Sequence, residues 1–245
     1  MMAHRIKRAL AFAILLFSLT FASAAMVFAR PEPFFAFSRT VENITIYDVE
    51  PIPNAADVAL QEIVNTLNAS PFEPADLNLF VANTGWRNKL YFFLAQGAGG
   101  VVYYPVTYDH GFLSGADYRS GLLVKDNRRI NPPRTLAYYG SHELTHVLTG
   151  HKVGAVRYHM MPEWVREGLA DYVALGAPVD YVELDTILGD DPVQLQALDR
   201  YGAYPRYRLL VSWFLDEQDW TLDALLETNM TENNALAEMR EGIYQ

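Results

Sequence analysis

The chain has 245 residues and no cysteine. Disulfide bonds and thiolate metal sites are therefore excluded, and cysteine usage does not indicate a compartment. Acidic residues outnumber basic ones by 29 to 19, which gives a formal net charge of −10. This balance argues against a nucleic-acid partner, because nucleic-acid binding needs a basic face. The sequence also has no internal repeat and no low-complexity tract.

A long apolar run occurs only at the start of the chain. The basic stretch 4–8 precedes an uncharged run from Ala9 to Ala29, and Ala22-Ser23-Ala24 fits the small-x-small cleavage rule. Residues 1–29 are thus predicted to be a signal peptide or, if uncleaved, a membrane anchor, because about twenty apolar residues span a bilayer. Either alternative predicts that the rest of the chain is extracytoplasmic, that is, periplasmic or secreted.

The remaining sequence predicts an α+β fold. Residues 30–40 are interpreted as a linker and 41–245 as one domain, with an α/β lobe at 41–130 and a mostly helical part at 131–245. Strands are predicted at 43–49, 77–81 and 101–106. Helices are predicted at 54–68, capped by Asn54, and at 85–96. The inward face of the second helix is predicted to be Trp86, Leu90, Phe93 and Leu94.

Pro105 marks the third predicted strand as an edge or bulged strand. An edge strand can pair with an extended peptide through backbone hydrogen bonds, and residues 121–125 are a competing candidate for this role. We favour a plain sheet strand at 101–106.

The most informative stretch is His142-Glu143-Leu144-Thr145-His146. Residues four apart share one face of a helix, so both imidazoles can face one point. Two imidazoles at this spacing form half of a tetrahedral zinc site, and Glu143 is placed to reach a water on the metal. We expect this helix to begin at Pro132 and Pro133, after a cap at Asn127 or Asn131, and to end at Gly150.

A second acidic element follows a predicted connection at 151–160. Trp164-Val165-Arg166-Glu167-Gly168-Leu169-Ala170-Asp171 lies in a helical pattern that begins at Pro162. Glu167 could supply a third ligand and leave the fourth position to water. Gly168 is unfavourable inside a helix, and we interpret it as a site of close helix approach.

Together these motifs resemble the gluzincin metallopeptidases, the group that includes thermolysin and the zinc aminopeptidases. The resemblance implies a zincin-like fold and one Zn²⁺ held by His142, His146 and Glu167. It implies that Glu143 is the general base and that Asp171 orients the first histidine. The chain lacks the Gly-x-Met-Glu-Asn segment of zinc aminopeptidases and a match to thermolysin's downstream histidine region. The substrate class therefore stays open.

The segment 207–215 resembles the gluzincin helix that follows the active site, a region that brings a tyrosine or histidine to the oxyanion. Candidates for this role are Tyr201, Tyr204 and Tyr207, of which we favour Tyr204 or Tyr207. His159 is an alternative electrophile. The other histidines, His4, His110 and His151, are interpreted as structural, solvated or helix-end residues.

The predicted function is zinc-dependent hydrolysis of a peptide or protein substrate, with water activated by zinc and Glu143. Two alternatives stay open. One is a catalytically idle binding protein of the cell envelope on the same scaffold. The other is a zinc hydrolase that acts on a non-peptide amide.

Overall fold

The computed structural model describes residues 25–83, 85–126, 128–177, 180–189 and 203–244. A small five-stranded mixed sheet has the order β1-β2-β3-β5-β4, and a three-stranded antiparallel sheet has the order β6-β7-β8. The strands are β1 (Phe37–Val41), β2 (Ile44–Asp48), β3 (Leu77–Val81), β4 (Gly100–Val101), β5 (His110–Leu113), β6 (Ala116–Asp117), β7 (Leu122–Lys125) and β8 (Arg128–Arg129). This mixture of helices and strands confirms the predicted α+β class.

The helices form the larger part of the described structure. They are α1 (Ala56–Asn68), α2 (Gly85–Tyr91), α3 (Leu136–Met160), α4 (Glu163–Leu175), α5 (Tyr181–Leu188), α6 (Pro205–Ser212), α7 (Leu222–Glu227) and α8 (Glu232–Ile243). A π-helical turn, Trp213–Glu217, continues α6. Within the described ranges, no helix is both long enough and apolar enough to cross a membrane.

Alternating side chains of the large sheet enter two different cores, because successive strand residues face opposite sides. Leu79 and Leu113 join the main core with helices α1, α3, α4 and α6, whereas Phe80 and Phe112 join a smaller aromatic core on the other face. Residues 25–35 and helix α2 cover that second face. The segment at 30–40 thus holds a helical turn, Glu32–Phe34, and most of strand β1 where we predicted a linker.

The predicted inward face of the second helix is wrong. Trp86, Phe93 and Leu94 are exposed, and Tyr91 and Phe92 are buried instead. The helix also ends at Tyr91, short of the predicted residue 96. A helical period defines which residues share a face, but it does not define which face meets the core.

The caps of two helices differ from the predicted ones. Asn54 does not cap α1, and its side chain instead accepts a hydrogen bond from Arg39. The cap of α3 is Thr135. We predicted Asn131 or Asn127 for this position, and Asn127 lies outside the described residues.

Helix α3 continues through Gly150, so the predicted end there and the predicted connection at 151–160 are wrong. A Cβ at Gly150 would lie 2.7 Å from the Tyr104 ring, so the glycine provides room inside the helix. The helical path breaks at Gly154, which has φ +75°.

Candidate metal centre

Two adjacent helices bring the three predicted metal ligands together. His142 and His146 lie one turn apart on α3, and Glu167 lies on the neighbouring helix α4. The Nε2 atoms of the two histidines are 3.2 Å apart. Glu167 Oε2 lies 3.5 Å from Nε2 of His142 and 3.3 Å from Nε2 of His146. These three side chains could therefore hold a metal ion.

The spacing of the three ligand atoms suits a small tetrahedral ion. Nitrogen and oxygen ligands at the usual zinc distances lie about 3.3 Å from one another around a tetrahedral centre. The three observed separations of 3.2, 3.3 and 3.5 Å match that value. The chain therefore supplies three of the four ligands of such a site.

Burial and mutual contact set the charges of these ligands. Desolvation disfavours a charged His142, but hydrogen bonds with Asp171 and Glu167 raise its pKa to about 10. Burial acts to raise the pKa of Glu167, yet the imidazoles of His146 and His142 hold it well below its usual range. The carboxylate of Glu167 is therefore ionised and can act as a metal ligand.

Asp171 connects His142 to the residue that precedes helix α6. The carboxylate is fully buried, and its Oδ1 accepts from the Tyr138 hydroxyl and lies 2.9 Å from His142 Nδ1. Its Oδ2 accepts from the backbone N–H of Tyr204 at 2.7 Å. With Nδ1 engaged, His142 directs Nε2 towards His146 and Glu167.

Glu143 lies against the edge of the large sheet. Its side chain is buried, and a Cβ added at Gly100 of strand β4 would lie 2.5 Å from its Cγ and Oε1. Burial raises the pKa of the Glu143 carboxyl, although the charges of His142 and His146 oppose this shift. A buried carboxylate of raised pKa is a stronger base than an exposed one.

Gly168 allows α4 and α6 to approach closely, as predicted. A Cβ at this position would lie 2.4 Å from the backbone oxygen of Tyr207 and 2.8 Å from Val211. The backbone of α6 cannot move away without separating the two helices. This contact sets the relative positions of Glu167 and Tyr204. Glu167 precedes Gly168 on α4, and Tyr204 is the residue just before α6.

The ligand triad opens into a cleft of about 520 Å³, within the size range of ligand pockets. Its lining includes strand β4, the triad, Glu143 and Tyr204. The lining also carries the cationic side chains of Lys125, Arg134 and Arg166. Arg166 is paired with Glu167, with Nε 3.2 Å from Oε1, so the lining holds both cationic and anionic groups.

A larger cavity of about 740 Å³ lies beside the C-terminal end of α1. Its lining includes Tyr172 and Asp216, which hydrogen-bond to each other, but none of the triad residues. We therefore assign the chemistry to the smaller cleft.

Tyr204 and Tyr207, predicted together, lie in different surroundings. The Tyr204 ring stacks on His142 with centroids 5.7 Å apart, and burial raises its pKa well above the usual value. Tyr207 stacks behind Tyr204 and hydrogen-bonds to Glu232, away from the cleft lining. Tyr201 lies outside the described residues.

Sequence reasoning missed Tyr158, which also lines the cleft. Its pKa is raised first by burial and then by the charge of Glu167, so the hydroxyl keeps its proton. The residue fell in the segment predicted as a connection. The break at Gly154 interrupts the helical period of the motif before Tyr158, so no local pattern placed this tyrosine beside the histidines.

The other histidines of the described ranges have structural contacts, whereas His4 lies outside those ranges. His159, the alternative electrophile, lines the cleft, but its Nε2 hydrogen-bonds to the backbone oxygen of Tyr104. Buried His110 contacts Asp109 and the backbone oxygen of Phe28, as expected for a structural residue. His151 lies inside α3 and bonds to the backbone oxygen of Tyr108.

Comparison of the chain with protein-family models, with curated proteins and with solved structures finds no match in any of the three. The interpretation of the site therefore rests on its own geometry and on the motifs that form it.

Proposed function

We propose that the chain is a zinc-dependent peptidase of the gluzincin type that acts in an extracytoplasmic compartment. The observation that carries this proposal is the triangle formed by His142 Nε2, His146 Nε2 and Glu167 Oε2, with sides of 3.2, 3.3 and 3.5 Å. Two imidazoles and one carboxylate are a known ligand set of catalytic zinc, which keeps a fourth position open.

A bound Zn²⁺ would act as a Lewis acid that lowers the pKa of water and polarises a substrate carbonyl. Glu143 accepts a proton from the attacking water as the new C–O bond forms. It then delivers that proton to the leaving amine as the C–N bond breaks. The raised pKa of Glu143 supports this role, because the carboxyl must hold the proton between the two steps.

Tyr204 donates its hydroxyl proton in a hydrogen bond to the developing oxyanion. Its position in the cleft and its raised pKa support this assignment, because a donor must stay protonated at neutral pH. Tyr158 is the second candidate, on the same two grounds. Tyr207 is not assigned this role, since its hydroxyl bonds to Glu232.

Strand β4 favours a peptide over a small amide as the substrate. It is the last strand in the sheet order, it lines the cleft, and its Gly100 touches Glu143. An extended peptide could add to this edge through backbone hydrogen bonds. The cationic side chain of Lys125 in the cleft lining favours substrates with a carboxylate near the scissile bond.

The test is a digestion of a mixed peptide set, including acidic and C-terminally amidated members, followed by mass spectrometry. We expect cleavage by the zinc-loaded chain, loss of cleavage after chelation and recovery when Zn²⁺ is restored. Glu143→Gln provides the matched control, because it should bind zinc but not cleave. A zinc-loaded chain that cleaves no peptide, or cleavage that survives chelation, would contradict the proposal.

A further inference from the structure

Three exposed apolar residues form a stripe on the outer side of α2 and the turn after it. Trp86 lies on the helix, and Phe93 and Leu94 lie beyond its end at Tyr91, whereas Leu90 is half-buried against the aromatic core. The exposed fractions are 50% for Trp86, 51% for Phe93 and 71% for Leu94. Isolated exposed apolar side chains are ordinary, but three large ones so close in the chain indicate a binding surface.

The stripe lies beside the point where the apolar N-terminal run joins the domain. Residues 25–29 are helical, and the Phe28 ring lies 6.1 Å from the Phe93 ring and 5.4 Å from the Tyr91 ring. Met26, in the same turn, is 62% exposed. These contacts place Phe28, near the end of the uncharged sequence run that begins at Ala9, beside Phe93 of the stripe.

Helix α2 is basic, although the chain is acidic overall. It carries Arg87 and Lys89 and no acidic residue. The Arg87 guanidinium lies over the Trp86 ring at 4.6 Å. Arg30, at the end of the apolar run, is 70% exposed and lies 4.0 Å from the carboxylate of Glu32. Aromatic and basic side chains side by side are typical of surfaces that meet anionic lipid headgroups.

We infer that the stripe Trp86–Phe93–Leu94, with Met26, rests on the lipid bilayer into which the N-terminal run inserts. Trp86 and Phe93 would sit at headgroup depth, where aromatic rings are favoured. This inference does not depend on the proposed peptidase activity.

The surface has a consequence for the cleft. Ala95, Gly97 and Ala98 follow the stripe directly and line the cleft that holds the triad. A chain seated on the stripe would therefore open its cleft close to the membrane surface. Substrates attached to or leaving the membrane would reach it first.

The full chain, reconstituted in floated liposomes, provides the test. The chain has four tryptophans, of which Trp164 and Trp213 are buried. The difference between the emission of the wild type and that of Trp86→Phe gives the emission of Trp86 alone. In liposomes of brominated lipid we expect the Trp86 emission to be quenched, as for an interfacial ring, and to be shielded from aqueous iodide.

The matched control places a tryptophan on another exposed surface. Val156 is 75% exposed on α3, where neighbouring Arg157 bonds to the backbone of α7. Val156→Trp in the Trp86→Phe background should be quenched by iodide and not by brominated lipid. Leu94→Asp should reduce the lipid quenching of Trp86.

Three outcomes would overturn the inference. Iodide quenching of Trp86 equal to that of the control would place the stripe in water. Shielding from both quenchers would mean that residues 9–24 or a second copy cover it. A chain that does not float with liposomes would exclude the bilayer as its partner.

Discussion

His142 Nδ1 lies 2.9 Å from Asp171 Oδ1, across the interface between α3 and α4. Oδ1 also accepts from Tyr138, and Oδ2 accepts from the backbone N–H of Tyr204. One buried carboxylate therefore contacts a histidine of the triad, joins two helices and holds Tyr204, the residue that precedes α6. The geometry of the triad depends on a residue that does not itself face the cleft.

Asp171→Asn is expected to weaken zinc binding by about 10- to 100-fold, because the amide can no longer accept all three hydrogen bonds. Tyr138→Phe removes one of the three donors and keeps the charge, so it should have a smaller effect. Competition with a chelating dye measures both affinities. Wild-type affinity in Asp171→Asn would show that the carboxylate does not support the site.

Glu143→Gln should lower the rate of peptide hydrolysis by about 10²- to 10⁴-fold, the range for loss of a general base. Zinc stoichiometry should not change, because the substitution is nearly isosteric and Glu143 is not part of the triad. Rates from the peptide that is cleaved best, together with metal analysis of the same sample, measure the two effects. Turnover at the wild-type rate would refute the assigned role.

Gly100→Ala tests the position of Glu143 without changing its chemistry. The new Cβ would overlap Cγ and Oε1 of Glu143 at 2.5 Å, so the carboxyl must move. We expect at least about a tenfold loss of kcat with zinc binding intact, because small displacements of a catalytic group are costly.

Gly111→Ala is the matched control, since its Cβ would lie 3.1 Å from the Cβ of Glu143 rather than on the carboxyl. It should have the smaller effect. Equal losses in the two variants would indicate general damage to the sheet edge.

Gly168→Ala should lower the free energy of unfolding of the metal-free chain by about 1–3 kcal/mol, as overpacking does. The added methyl group would meet the Tyr207 backbone oxygen at 2.4 Å. Helix propensity alone predicts the opposite sign, a gain of about 1 kcal/mol. Urea denaturation in the presence of chelator therefore separates the two explanations, and a stabilised variant would rule out the close approach of α4 and α6.

Local patterns predicted the site better than they predicted its surroundings. The spacing of His142 and His146 fixes a shared helix face, and Pro162 and Gly176 do flank the helix of Glu167. These features depend on neighbouring residues only. Gly150 was taken as a helix end because a glycine often ends helices, whereas here it makes room for Tyr104, a residue distant in sequence.

Other features depend on tertiary contacts that no local pattern contains. The spacing of Trp86, Phe93 and Leu94 suggested one helix face, but the helix ends at Tyr91, and the buried rings are those of Tyr91 and Phe92. The predicted strand 101–106 is reduced to Gly100–Val101, because the hydrogen bonds to strand β5 extend no further.

Metal analysis of the full chain after exposure to Zn²⁺ and desalting tests the central claim most directly. Wild type and Glu167→Ala are compared at matched circular dichroism, with Glu163→Ala, on the same helix, as the control. We predict about one zinc per chain in wild type and in the control, and a large loss in Glu167→Ala. Equal zinc in all three proteins would remove Glu167 as a ligand, and no zinc in any of them would contradict a metal centre at this site.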